Sequence, residues 1–130
     1  MKLITRDTDY AVRAVCYIAK QKGQMVSASQ LVERIKVPHS FLRKQLQLLN
    51  KKGILKSYRG KGGGFQLGVA ADKIYLIDLI KVFQGELMLS ECFLKKRICP
   101  ERVRCSLRKK ILGIEKYAVD QLSSVTIADL

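Results

Sequence analysis

Val37-Pro38-His39-Ser40-Phe41-Leu42-Arg43-Lys44-Gln45-Leu46-Gln47-Leu48-Leu49-Asn50-Lys51-Lys52-Gly53 is the stretch on which the fold turns. Pro38 suits the first turn of a helix, because its missing N–H has no intrahelical partner to lose there. Gly53 supplies the stop. Between them Leu42, Leu46 and Leu49 fall at i, i+4 and i+7, which puts them on one core-facing stripe. Ser40, Arg43, Lys44, Gln47 and Lys51 follow helical spacing on another face, and all of them carry hydrogen-bond donors. An ordinary solvated face would include some Glu, and this one has none. Arg, Lys and Gln donors match guanine and adenine edges in a DNA major groove.

The flanks agree with that reading. Upstream, Asp7 to Lys20 has Tyr10, Ala11, Ala14, Tyr17 and Ile18 at three-and-four spacing, and Asp7 and Asp9 suit a helix N-terminus. Ser27-x-x-Gln30 has the form of a capping box and opens a second helix through Ile35. Two helices, a short turn and a cationic third helix describe a helix-turn-helix. Downstream, Ile54 to Tyr58 and Phe65 to Leu67 flank Arg59-Gly60-Lys61-Gly62-Gly63-Gly64, which predicts a β-hairpin with Arg59 and Lys61 at its tip. A basic hairpin after a recognition helix is a wing, and a narrow minor groove attracts Arg. The glycines do not make a nucleotide loop, since no G-x-x-x-x-G-K-[ST] run is present.

Ile77 to Phe83 predicts a short helix ending at Gly85, and Glu86 to Pro100 has no clean period and reads as loop. From about Val103, Leu107, Ile111, Ile114, Ala118 and Leu122 form one apolar stripe on a long last helix. So small a chain leaves that stripe little to pack on, and a second copy of the chain is the expected partner. The fold class expected is mostly α with a small β-hairpin, a winged helix-turn-helix plus a long C-terminal dimerisation helix. The parts expected are a DNA-binding unit over 1–86, a cysteine-bearing loop over 87–105 and a dimerisation segment over 106–130.

Charge and composition bound the function. The 130 residues carry 25 Lys and Arg against 11 acids, a formal charge of +14. From Arg34 through Ala71 there are nine basic residues and no Asp or Glu, a one-signed field suited to a polyanion. No apolar run approaches the ~20 residues of a membrane span. Met1 to Asp7 lacks the apolar core of a secretory signal, so the expected location is cytoplasmic. No acid–base pair or nucleophile constellation stands out, which argues against an enzyme.

Three cysteines, Cys92-x6-Cys99-x5-Cys105, add a chemistry that a DNA-binding scaffold does not need. In a reducing compartment, closely spaced thiols hold a metal or do redox work. The spacing is too wide for the knuckles of structural zinc sites and differs from ferredoxin runs. Lys95, Lys96, Arg97, Arg102 and Arg104 surround the cysteines and favour thiolate, or else extend the DNA surface. Cys16 lies among apolar residues of the first helix and reads as a small buried hydrophobe.

Taken together, Thr8-Asp9-Tyr10-Ala11-Val12-Arg13, Ser40-Phe41-Leu42, the run from Arg59 to Leu67, the three cysteines and Thr126-Ile127-Ala128-Asp129-Leu130 resemble a known family. It is the bacterial iron–sulfur-cluster regulator and nitric-oxide-sensitive repressor family (IscR/NsrR type). The resemblance implies a homodimeric transcription factor that binds double-stranded operator DNA. It also implies an iron–sulfur cluster, [2Fe–2S] or [4Fe–4S], held by Cys92, Cys99 and Cys105, with cluster state setting DNA affinity. One branch of the family has a histidine three residues after the third cysteine. Here that place is Arg108, which cannot ligate. Another branch supplies a carboxylate from the first helix of the opposite subunit, and Asp9 occupies the matching place. Water or a small thiol is the alternative fourth ligand. Two other readings stand beside this one: a winged helix with a structural zinc or no metal, and an iron–sulfur redox carrier.

Overall fold

The computed structural model describes residues 2–90, 93–94 and 97–130, with only the backbone described at 93–94 and 97–98. The first helix, α1, is Arg6–Lys20. It starts one residue before the expected Asp7 because Thr5 caps it, its hydroxyl accepting the Thr8 amide at 3.4 Å. Helix α2, Ala28–Ile35, opens on the expected capping box. The Gln30 amide donates to Ser27 Oγ at 3.1 Å and the Ser27 amide to Gln30 Oε1 at 2.8 Å. Lys36 ends α2 in the left-handed conformation, and Val37, buried, carries the chain into α3, His39–Lys51.

Leu42, Leu46 and Leu49 of α3 are buried, as their spacing predicts. They join Ala11, Ala14, Val15 and Ile18 of α1, Leu31 of α2 and Leu55 in one core. Strands β1, Leu55–Tyr58, and β2, Gly64–Leu67, pair antiparallel from Leu55 opposite Leu67 to Tyr58 opposite Gly64. The wing has a third participant absent from the sequence reading. Val26 and Phe65 exchange both backbone hydrogen bonds, at 3.0 and 2.7 Å, which anchors the hairpin to the residue before the Ser27 cap of α2. That anchor explains Gly64, whose φ is +151° and where a Cβ would lie 2.5 Å from the Val26 carbonyl oxygen.

Helix α4, Leu76–Gln84, extends the expected Ile77–Phe83 by one residue at each end and stops at Gly85, which adopts φ +76°. The expected loop over Glu86 to Pro100 is corrected in part. Strands β3, Phe93–Leu94, and β4, Arg97–Ile98, pair as a short antiparallel hairpin. Two-residue strands are too short to write a period into the sequence. The last helix, α5, is Ser106–Ser123 and begins later than the expected Val103.

The stripe expected on α5 also needs correction. Leu122 packs inside the subunit, joining Val119, Val12 and Ile4 against Leu76, Ile77 and Ile80 of α4. Ile111 and Ala118 are half-buried, whereas Leu107 and Ile114 are 67% and 61% exposed. Val119 lies about a third of a turn round the helix from Leu107, so α5 has two adjoining apolar faces and spends one on its own subunit. After α5 the chain turns back. Leu76 donates to the Val125 carbonyl and Ile127 to the Ile74 carbonyl, both at 2.9 Å, and Ile127 is buried in the main core.

Candidate nucleic-acid interface and cysteine segment

Ser40, Arg43, Lys44, Gln47 and Lys51 are all exposed on the face of α3 opposite its leucines. Arg59 and Lys61, also exposed, sit in the turn between β1 and β2. Gly63 lets that turn close, since its amide donates to the Gly60 carbonyl at 3.0 Å and a Cβ there would lie 2.3 Å from the Tyr58 carbonyl oxygen. The structure therefore brings two of the expected groups together. Arg43 and Gln47 of α3 and Arg59 of the wing line one groove. Ser40, Lys44 and Lys51 lie outside its lining, on the outer face of the helix.

Three polar residues that the sequence reading did not single out share this groove: His39, Asn50 and Ser57. Leu46 and Phe65 contribute its apolar part. No Asp or Glu is among its lining residues. Asn50 ties the helix to the wing, because its Oδ1 accepts the Ser57 amide at 3.2 Å. Nothing in the spacing of Asn50 and Ser57 announces this bond, which exists only once β1 has folded back beside α3. Every polar side chain lining the groove carries at least one hydrogen-bond donor, and such a surface suits phosphate oxygens and purine edges.

The cysteine segment is partly visible. Cys92 lies outside the described residues. Cys99 and Cys105 are half-buried and free. Cys105 is the N-cap of α5, its sulfur accepting the Arg108 amide at 3.4 Å. Cysteine is outside the usual capping set of Ser, Thr, Asp and Asn, so the sequence carried no capping signal there. The Cys99 carbonyl accepts the Arg102 amide at 3.1 Å, and the Arg108 guanidinium donates to the Arg102 carbonyl at 3.3 Å. Arg108, three residues after the third cysteine, is thus engaged in holding the turn between Cys99 and Cys105. Upstream, Glu115 of α5 accepts the Leu89 amide at 2.9 Å, fixing the chain three residues before Cys92.

The Cys105 sulfur already serves as an acceptor at the first turn of α5, and cysteine sulfur is the donor type that holds iron–sulfur clusters. In that respect Cys105 fits the ligand role. No group of three or more His, Cys, Asp and Glu side chains that could hold a metal occurs among the described residues, which exclude Cys92. Asp9 is half-buried and forms an ion pair with Arg13, Oδ2 to Nε at 3.1 Å. A surface pair of this kind is weak, so it leaves Asp9 available to a stronger partner. Cys16 packs against the main core, but only partly buried, and it borders a cleft with Arg13, Lys20 and Arg34. Burial raises its thiol pKa above the ordinary value and the nearby Lys20 opposes that shift, which fits an unreactive packing residue.

Comparison with known proteins decides the family. Residues 4–130 match the model of the Rrf2 family, described as an iron-dependent transcriptional regulator. The chain belongs to the Rrf2 family. It is 31% identical over 128 residues to protein aau3 of Rhizobium meliloti (strain 1021), covering 98% of this chain and 83% of that one. Among solved structures, it is similar to CymR (YrzC), the global cysteine regulator of B. subtilis. The TM-score is 0.81 at 25% identity, covering 99% of this chain and 95% of that one. It is also similar to T. potens IscR, with a TM-score of 0.75 at 26% identity over 99% of this chain and 85% of that one. As an Rrf2 protein the chain is a DNA-binding transcriptional regulator with a winged-helix fold and not an enzyme. No helix among the described residues is long and apolar enough to cross a membrane.

Proposed function

We propose that this Rrf2 regulator binds operator DNA as a homodimer, with affinity set by an iron–sulfur cluster on its cysteine segment. The observation that carries the DNA half is the shared groove of Arg43, Gln47 and Arg59, which joins the recognition helix to the wing without a carboxylate in its lining. Ser40, Arg43, Lys44 and Gln47 face base edges in the major groove, Lys51 and Lys61 contact phosphates, and Arg59 enters the minor groove. Leu107 and Ile114, left exposed on α5, supply the surface for the second subunit. In this reading residues 1–86 bind DNA, 87–105 carry the cysteines, and 106–130 dimerise while returning Ile127 to the core.

Cys92, Cys99 and Cys105 would hold the cluster, with Asp9 of the opposite subunit as the fourth ligand. When bound, a cluster supplies one-electron redox chemistry and reactivity towards oxidants and nitric oxide. The family description as iron-dependent supports this assignment, as does the amide donated to Cys105. A ligand from the opposite α1 makes the relative position of the two subunits depend on the site, and with it the spacing of the two recognition helices. A differential affinity of that kind is what an effector needs to act.

A second reading has an observation of its own. The fold is similar both to the global cysteine regulator CymR and to IscR, with TM-scores of 0.81 and 0.75, which supports a cysteine-linked regulator without a cluster as the alternative. One experiment separates the two. The chain is isolated anaerobically, its iron and sulfide are measured with the visible spectrum, and operator affinity is compared with and without the cluster at one salt concentration. Visible absorption that requires each of the three cysteines, with affinities that differ, supports cluster sensing. Colourless protein, or equal affinities with the cluster present in one sample, removes it.

A further inference from the structure

Asn50 sits where the recognition helix meets the wing, and its two ends are chemically different. The oxygen end is committed, because Oδ1 accepts the Ser57 amide at 3.2 Å. That bond fixes which way the amide points, since an NH₂ group cannot accept from an N–H. The Nδ2 group, with two donors, is therefore left for the groove that Asn50 lines with His39, Arg43, Gln47 and Arg59. Asn50 is exposed and lies one residue from the C-terminal end of α3, where the helix terminus itself offers no positive potential. Arg43 and Arg59 carry the charge on two separate elements, and among the described residues Asn50 is the groove side chain hydrogen-bonded across the gap between them.

We infer that Asn50 is a positioning residue for DNA. It clamps β1 against α3 through Oδ1 and donates through Nδ2 to a backbone phosphate of the strand lying between the major-groove helix and the minor-groove wing. A neutral amide suits this place, since it adds a directed bond to a phosphate whose charge the two arginines offset. This rests on the DNA-binding reading of the same groove and adds to it the residue that sets the register of its two halves.

The two ends of Asn50 can be tested separately. Asn50→Asp keeps an oxygen for the Ser57 amide but replaces the donors with a negative charge. Asn50→Ala removes both ends. Affinities are measured by fluorescence anisotropy on the operator and on an unrelated duplex of equal length, at one salt concentration. The position of the Ser57 amide resonance reports the clamp. We expect Asn50→Asp to retain the clamp, yet to bind both duplexes at least tenfold more weakly than Asn50→Ala, with the ratio between duplexes preserved. A purely structural clamp predicts the reverse order, Asn50→Asp near wild type and Asn50→Ala impaired, and that result overturns the phosphate contact. Equal losses in both variants overturn it too. If the wild-type chain itself binds neither duplex, the groove is not a DNA surface and the DNA reading fails with it.

Discussion

Replacing Gln84 with Leu removes a three-way junction that the structure builds at the end of α4. Gln84 Oε1 accepts the Thr5 amide at 3.0 Å and the Thr8 hydroxyl at 2.7 Å, and Gln84 Nε2 donates to the Leu3 carbonyl at 3.0 Å. If each bond were worth its typical net ~0.5–1.5 kcal/mol, the sum would be about 1.5–4.5 kcal/mol. The three are not equivalent, however. Leu3 is exposed and Thr5 half-buried, so water replaces much of what those two lose. Thr8 is wholly buried, and its hydroxyl would keep only the Thr5 hydroxyl at 3.1 Å. The loss therefore concentrates on Thr8, at roughly 1–3 kcal/mol. Gln84→Glu should cost less at neutral pH, because it keeps both bonds to Oε1 beside the N-terminus of α1, where negative charge is favoured.

The assay is urea denaturation at fixed protein concentration, which matters for a protein expected to be dimeric. Amide exchange should be followed over residues 3–8 in parallel. The midpoint should fall for Gln84→Leu with the m-value unchanged, and exchange at Thr8 should accelerate by a factor of about 5 to 150, the equivalent of ~1–3 kcal/mol. A Gln84→Leu midpoint indistinguishable from wild type, or Glu ranking below Leu, would refute the junction as a stabilising element.

Three further outcomes follow from named contacts. Arg43→Ala should cost ~1–3 kcal/mol on the operator and relax one base position, whereas Lys51→Ala should weaken all duplexes alike and lower the salt slope by about one; equal sequence-independent losses would remove Arg43 as a reader. Ile114→Glu should place an unpaired charge in the subunit interface and split the dimer in sedimentation, and an intact dimer would show that the exposed face of α5 is not the interface. Gln45 is 5% exposed and neither atom of its side-chain amide has a hydrogen-bond partner, so Gln45→Met should raise stability by about 1–3 kcal/mol; a lower denaturation midpoint would mean the amide is satisfied by an ordered water or a partner.

What the sequence made legible is what short-range chemistry writes. Ser27 and Gln30 announce α2 because both partners of the box lie within one turn, and Leu42, Leu46 and Leu49 announce the buried face of α3 because a helix repeats every 3.6 residues. The wing is legible for the same reason, since its glycines are demanded by a turn of a few residues. What stayed hidden depends on partners far apart in the chain, or on neighbours that meet only once the chain turns back on itself. Gln84 meets Leu3, Thr5 and Thr8 across more than seventy residues, and Asn50 meets Ser57 only after the chain has reversed. Gln45 is hidden in a different way, as a polar residue on the same face as the leucines, where periodicity alone would ask for an apolar one.

The last helix marks the boundary between the two kinds of information. Its apolar positions were readable, but periodicity cannot say which apolar face meets the same chain and which meets another. The fold decides by geometry. Leu76 donates its backbone amide to the Val125 carbonyl, which brings the end of α5 against α4 through Val119 and Leu122 and leaves Leu107 and Ile114 on the outside, with Tyr117 67% exposed beside them. That outward face begins at Leu107, two residues after Cys105, the cap of the same helix. A second subunit seated on α5 would therefore touch the element that holds the third cysteine. If the proposed cluster and dimer are both present, the cysteine at the cap and the subunit contact would lie on one helix, and a change at the cluster could reach the partner through α5.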